Sequence, residues 1–272
     1  DISNDCVKIA AIAEMIHTAS LIVDDIVDNA DVRRGITCLH KKYGIEIAFR
    51  SANIIVAQCT DLLCQLDSTI HRPEILSRFS RVLSNMVTGE ILQHRSQSKN
   101  KLRSIIGYLR ASYCKTASLF EATCGCVALL HAEKYPDKRV GFAMNFGKSF
   151  GIAFQLADDI LDYTAKKSFI GKPNGLDMKN GLLSGPLLFA LRHLSRKLGK
   201  TIDTSSITQS ELEKGFNKNI EVLYLELKKA KIAIENLGFT DLKTVKILTQ
   251  LLNLIEERIT RSRVEVDYEN LN

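Results

Sequence analysis

Residues 17–35 read HTASLIVDDIVDNADVRRG, and the fold follows from how this stretch is arranged. Taken as a helix, it sets Asp24 and Asp28 four residues apart, so both carboxylates project from one face, one turn above the other. Asp25 and Asp31 bring the acids to four within eight residues. Such a group repels itself and raises its own pKa values unless cations share the site, so the cluster reads as incomplete without a metal. Arg33 and Arg34 follow at once. Carboxylates suited to a hard cation, beside guanidiniums that fork onto phosphate oxygens, point to a phosphorylated ligand bridged through metal.

The pattern returns at residues 154–162, FQLADDILD, with Asp158, Asp159 and Asp162 in the same D-D-x-x-D spacing. An acidic run on a helix is often only a solvated face. The flanks argue otherwise, because Leu21, Ile22 and Val23 in one copy and residues 152–157 in the other are largely apolar. Carboxylates that emerge from buried helix are costly unless paired or metal-bound.

The chain has 272 residues, enough for a sizeable core in one large domain or two. No run of about 18 apolar residues marks a membrane span. The net charge of +6 is spread along the chain, with no basic stripe interleaved with aromatics, which argues against nucleic-acid binding. The seven cysteines lie mostly in apolar segments and read as reduced, buried thiols of an intracellular protein. Cys124 and Cys126 lack the spacing of a zinc knuckle.

Only four prolines interrupt the chain, and the apolar residues recur at helical spacing. Helices are expected over residues 6–29, 45–66, 73–93, 102–133, 140–164, 186–197, 211–235 and 241–261, with no strand anywhere. The stretch 45–66 is apolar almost all round and reads as a helix in the middle of a bundle. Gly141, Gly147 and Gly151 recur along the helix of the second acidic motif, where close packing or ligand approach would explain them. Residues 165–184, rich in Gly, Lys and Asn, form a loop placed to close over that motif.

At this point the sequence resembles the trans-isoprenyl (polyprenyl) diphosphate synthases. Residues 14–21 leading into Asp24-Asp25-Ile26-Val27-Asp28, then Arg33-Arg34-Gly35, are similar to the family's first aspartate-rich region. Gly89-Glu90-Ile91-Leu92-Gln93 looks like its G-E-x-x-Q helix, and Lys115-Thr116-Ala117 its K-T-A segment. The second aspartate-rich region follows, with Gly171-Lys172-Pro173 and Gly175-Leu176-Asp177 behind it.

The resemblance implies an all-α fold, a single large helical bundle around a central hydrophobic cavity, with residues 1–272 forming one polyprenyl synthase domain that lacks its N-terminal helices. It implies an enzyme that condenses isopentenyl diphosphate head-to-tail onto an allylic prenyl diphosphate, with magnesium, three ions when diphosphate is bound. Asp24, Asp25 and Asp28 would hold one side of the metal cluster and Asp158 the other, with Asp159 and Asp162 as nearby partners. Arg33, Lys115 and Lys172 would grip the allylic diphosphate, with Thr116 and Gln155 lining that end, while Arg34 would face isopentenyl diphosphate. Released pyrophosphate would take the final proton.

Ala19 and Ser20 stand one turn before Asp24, where short-chain members of the family carry bulky aromatics. Small residues there imply an open channel and a medium- or long-chain product, of the kind used as a quinone side chain, with Met15 and Ile16 setting the floor. A homodimer, peripheral membrane contact for product release, and a mitochondrial, plastid or cytoplasmic location are further expectations of the resemblance. Nucleic acid is not an expected partner.

Simpler roles compete at single positions: Lys115 as a lysine lying along its helix, Gln155 as a buried hydrogen-bonding residue, His17 as a core histidine. His40, His71 and His94 read as surface or loop residues. The chain departs from the family at Val23, where histidine is usual, at Thr37, where proline is usual, and at Leu182, where lysine is expected. The G-G-K-x-x-R-P segment that binds isopentenyl diphosphate does not precede Asp24. A regulatory subunit of a heteromeric synthase, or a class I terpene cyclase, are the competing functions; paired arginines and a complete second D-D-x-x-D speak against the cyclase.

Overall fold

Ser3 opens the first helix by accepting a hydrogen bond from the Cys6 amide, satisfying one of the donors that a helix start leaves free. The computed structural model describes residues 3–95, 104–132, 136–164, 183–198, 207–239 and 241–264. Helix α1 (Asn4–Val27) buries Ile9, Ile12, Ile16 and Ala19 at helical spacing and delivers Asp24 and Asp25 at its C-terminal end. Each isoleucine so buried stabilises the fold by about 1.5–3 kcal/mol. Near its start, the Asp5 carboxylate accepts from the Asp67 and Ser68 amides, both at 2.9 Å, fixing α1 to the turn after the next long helix.

Sequence periodicity showed no strand, but α1 is followed by a minimal hairpin, Val32–Arg33 paired antiparallel with Ile36–Thr37. Arg34 and Gly35 form its turn with φ of 51° and 80°, the left-handed conformation that tight hairpins require. Two-residue strands are too short to leave an alternating pattern.

The remaining described elements are helical: α2 (Leu39–Tyr43), α3 (Ile45–Cys64), α4 (Arg72–Arg95), α5 (Ile105–Ser112), a π-helical turn (Tyr113–Ala117), α6 (Ser118–Leu130), α7 (Lys138–Thr164), α8 (Gly185–Leu198), α9 (Gln209–Leu237) and α10 (Leu242–Val264). The expected helix over residues 102–133 is therefore two helices with a π turn between them among the described residues. A capping box between Thr208 and Glu211 starts α9, and left-handed Gly238 ends it.

Two apolar cores meet along α6 and α7. One joins Ile9, Ile12 and Ile16 of α1 to Cys59 and Leu63 of α3, Ile75 and Phe79 of α4, and Cys126 and Leu129 of α6. The other joins Ala153, Leu156 and Ile160 of α7 to Leu188 of α8, Leu223 and Leu227 of α9, and Leu252, Ile255 and Ile259 of α10.

Helix α3 corrects the expectation that it lies in the middle of the bundle. It buries one stripe of Ala48, Ala52, Cys59 and Leu63, and leaves Ile45, Ile47, Phe49 and Ile54 exposed. Continuous apolarity signals two apolar faces but does not say that both are covered within the chain. By length and composition, α1 and α3 would each be apolar enough to cross a membrane, which the absence of an unbroken apolar run had argued against. His40 is a further correction: it is buried in α2, and neither ring nitrogen has a hydrogen-bond partner among the described residues.

Candidate active site

Glycines decide how closely the helices around the acids approach. A Cβ on Gly89 of α4 would lie 2.6 Å from the Lys115 amide nitrogen, and one on Gly151 of α7 would lie 2.5 Å from the Ala117 Cα. A Cβ on Gly147 would run into the Phe120 carbonyl. The π turn is thus clasped between α4 and α7 at distances only glycine permits. Gly141 has open space around it, so packing accounts for Gly147 and Gly151 but not for Gly141.

A π turn widens the helix by one residue, and here it presents Lys115 and Thr116 to opposite neighbours. The Lys115 ammonium lies 2.5 Å from Glu90 Oε1 and 3.8 Å from Asp24 Oδ2. Burial disfavours the charged lysine, but Asp24, Glu90 and Asp28 outweigh it and hold its pKa above the usual value. On the other side, the Thr116 hydroxyl donates to Gln155 Oε1 at 2.6 Å, and Gln155 Nε2 donates to Asp159 Oδ1 at 2.9 Å. The K-T pair therefore connects the acid of α1 to the acids of α7, and Lys115 acts on Asp159 as well as on Asp24.

The acids themselves divide into two kinds. Asp25 is buried and accepts from Arg33 Nε at 2.6 Å. Asp159 is buried and accepts from the Tyr108 hydroxyl at 2.6 Å and the Gly185 amide at 2.8 Å, besides Gln155. Burial raises its pKa, opposed by these donors. Both carboxylates are engaged by internal donors.

Asp24 and Asp158 are different. Burial raises each to about 6, with Lys115 as the main opposing charge at Asp24 and Arg258 of α10 at Asp158. Arg258 Nη2 stands 3.6 Å from Asp158 Oδ1. Asp28 is the exposed C-cap of α1, and its charge adds to the pressure on Asp24. Asp162 is half-buried on α7.

A divalent cation suits this donor set. Asp24 and Asp158 offer hard oxygen ligands whose charged form burial disfavours, each with only a monovalent cation beside it, Lys115 at 3.8 Å and Arg258 at 3.6 Å. Among the described residues no three acidic, histidine or cysteine side chains converge as a ready-made metal cage. A magnesium ion held by one or two carboxylates and completed by phosphate oxygens needs no such cage.

The other expected site residues are placed as follows. Arg34 is exposed in the hairpin turn, close enough to His17 to contribute to its lowered pKa, whose main cause is burial. Ile16 and Ala19 are buried, Met15 packs against the same core as Ile16, and the half-buried Ser20 hydroxyl donates to the His17 carbonyl at 2.8 Å. Lys172 and residues 165–182 of the loop expected over 165–184 lie outside the described residues. Four participants were not singled out for a role: Glu90, Tyr108, Gly185 and Arg258. Glu90 had a signal, since it sits in the G-E-x-x-Q stretch; Gly185 acts through its backbone, and Tyr108 and Arg258 stand 51 and 100 residues in sequence from the acids they meet.

The fold and site define a class: a helical bundle in which two acid-bearing helices flank a partly buried lysine. The Polyprenyl synthetase family model matches residues 1–220, and the chain belongs to that family. It is 40% identical over 189 residues to a prenyl transferase of Cyanophora paradoxa, covering 69% of this chain and 56% of that protein. It is 31% identical over 266 residues to solanesyl-diphosphate synthase 1, mitochondrial, of Oryza sativa subsp. japonica, covering 94% of this chain and 60% of that one. A polyprenyl synthase from Caulobacter crescentus CB15, solved in complex with calcium and isoprenyl diphosphate, superposes with a TM-score of 0.75 at 26% identity, covering 91% of this chain and 77% of that chain. The chain spans less than two thirds of the length of these two curated relatives.

Proposed function

We propose that the protein is a trans-polyprenyl diphosphate synthase, which joins isopentenyl diphosphate head-to-tail to an allylic prenyl diphosphate and yields a medium- or long-chain polyprenyl diphosphate. The observation that carries this reading is the position of Lys115, within 3.8 Å of Asp24 on one side and coupled to Asp159 on the other. A partly buried cation beside the acidic motifs gives an anionic leaving group a place to sit.

The reaction breaks the allylic C–O bond, releases diphosphate and leaves an allylic cation. The double bond of isopentenyl diphosphate attacks that cation, a C–C bond forms, and a proton leaves the new chain for the released pyrophosphate. Magnesium, when bound, supplies positive charge to the leaving diphosphate. Asp24, Asp28 and Asp158 would hold it, with Asp25, Asp159 and Asp162 shaping the two acidic faces. Lys115 donates to the diphosphate oxygens, and Thr116 and Gln155 fix the lysine-bearing turn against α7. Arg33 and Lys172 add charge at the allylic end, and Arg34 at the isopentenyl end. A proton acceptor among the side chains is unnecessary, so His17 has a packing role.

Residues 1–272 are proposed to form one synthase domain, and Ala19, Ser20, Met15 and Ile16 to line the wall and floor reached by the growing chain. A homodimer, membrane contact at product release and an organelle such as the mitochondrion are parts of the same proposal, supported by the rice relative's mitochondrial name.

The test is incubation of the full-length protein with magnesium, labelled isopentenyl diphosphate and an allylic starter. Elongated, acid-labile product supports the reading. Cyclised hydrocarbon would make it a cyclase, and elongation only after a partner subunit is added would make it one half of a heteromer.

A further inference from the structure

Asp158 is met from outside its own helix by a single described basic residue, Arg258, and that residue comes from the last described helix of the chain. Helix α10 (Leu242–Val264) lies beyond the residues that the family model matches. Leu252, Ile255 and Ile259 are buried against α7 and α9, and Lys231 of α9 meets Glu256 at 3.3 Å. Arg258 sits between two of those anchors, so the docked helix fixes where its stem begins. The guanidinium then lies along one turn of α7, its carbon 5.6 Å from the centre of the Phe154 ring and Nη2 3.6 Å from Asp158 Oδ1. Phe154 precedes Asp158 by one helical turn, so ring and carboxylate form one cradle for the cation.

A cation also stands beside the acid of α1, where Lys115 lies 3.8 Å from Asp24. The two cations differ in exposure and in the number of carboxylates they meet. Lys115 lies against two, Glu90 at 2.5 Å and Asp24 at 3.8 Å, with 27% of its side chain exposed, whereas Arg258 has 49% exposed and one carboxylate partner among the described residues, at 3.6 Å. A half-exposed arginine on a flexible stem can leave its partner at small cost. A divalent ion approaching Asp158 therefore meets a carboxylate that already has a monovalent counter-charge, and must take its place.

We propose that Arg258 is the resident counter-charge of Asp158 and competes with a divalent cation for it, so that α10 sets how tightly the α7 side of the site binds the ion. This rests on the reading of Asp158 as a cation ligand. It assigns the C-terminal helix a part in tuning cation affinity, in addition to its packing on α7.

The test is Mn2+ binding to the full-length protein, followed by loss of the free-ion electron paramagnetic resonance signal, with no substrate present. Arg258→Gln should tighten binding by about 1.5- to 5-fold, the range expected for releasing a partly exposed ion pair, and Arg258→Lys should fall between it and the wild type. In an Asp158→Asn background the gain from Arg258→Gln should vanish, because the competed carboxylate is gone. Unchanged or weaker Mn2+ binding by Arg258→Gln, in a variant whose circular dichroism matches the wild type, overturns the competition while leaving Asp158 as a ligand if Asp158→Asn alone loses affinity. If Asp158→Asn binds Mn2+ as the wild type does, Asp158 is no ligand and both readings fail.

Discussion

Lys115 of the π turn stands 3.8 Å from Asp24 at the end of α1, and the same ammonium is 2.5 Å from Glu90 on α4. Three segments far apart in sequence thus meet at one charge. Replacing it by methionine leaves Asp24 and Glu90 facing each other in a partly buried space. Lys115→Met is expected to lower stability by about 1–3 kcal/mol and to abolish elongation. Glu90→Gln, which keeps a hydrogen-bond acceptor for the lysine, should lose less of both. Denaturant melts and the condensation assay on the two variants check this.

Asp24 and Asp158 are each raised to about 6 by burial. A carboxyl raised on folding contributes stability below its unfolded value near 3.8 and loses it as pH rises through 6. At neutral pH both acids therefore weigh against the metal-free fold. Asp24→Asn and Asp158→Asn should melt higher than the wild type at pH 7.5 without divalent ions, with the advantage shrinking as pH falls through about 6. Asp5 has the opposite sign: burial raises it, but the Asp67 and Ser68 amides and Lys8 prevail and hold it low. Its stabilisation is present above 3.8 and lost as pH falls further. Thermal melts across this range distinguish the two behaviours.

Gly89 and Gly151 clasp the π turn from either side, each where a Cβ would enter the backbone opposite. Gly89→Ala and Gly151→Ala should each destabilise by about 1–3 kcal/mol and disturb the presentation of Lys115. Gly141→Ala meets open space in the same helix as Gly151 and should stabilise by about 0.5–1 kcal/mol. Chemical denaturation of the three variants gives the sign of each.

Ala19 is 4% exposed on the face that α1 turns inward, five residues before Asp24. If the growing chain passes there, Ala19→Phe shortens the product by one or more prenyl units on thin-layer analysis. Unchanged length would remove Ala19 from the wall of the channel.

Much of this was legible in the sequence because it is carried by local periodicity. The helix expected over residues 140–164 is observed as Lys138–Thr164, and that expected over 186–197 as Gly185–Leu198. The repeated acids and the K-T segment likewise stood out, being contiguous. What stayed hidden depends on contacts across the bundle. Nothing near Tyr108 announces that its hydroxyl holds Asp159, and nothing near Arg258 announces Asp158. The outer face of α3 was misjudged for a related reason: a sequence records that Ile45 and Phe49 are apolar, but not whether anything in the same chain covers them. The hairpin carrying Arg33 and Arg34 escaped because its strands are two residues long.

On the proposed reading, the carboxylates of α1 and α7 serve one diphosphate through shared divalent ions. Crystals of the full-length protein grown with Mn2+ and inorganic pyrophosphate test it through the anomalous signal of the metal. The prediction is manganese bound to Asp24 on one side and Asp158 on the other, with pyrophosphate between them and within reach of Lys115. Manganese absent from both carboxylates, or pyrophosphate bound away from Lys115, would contradict it.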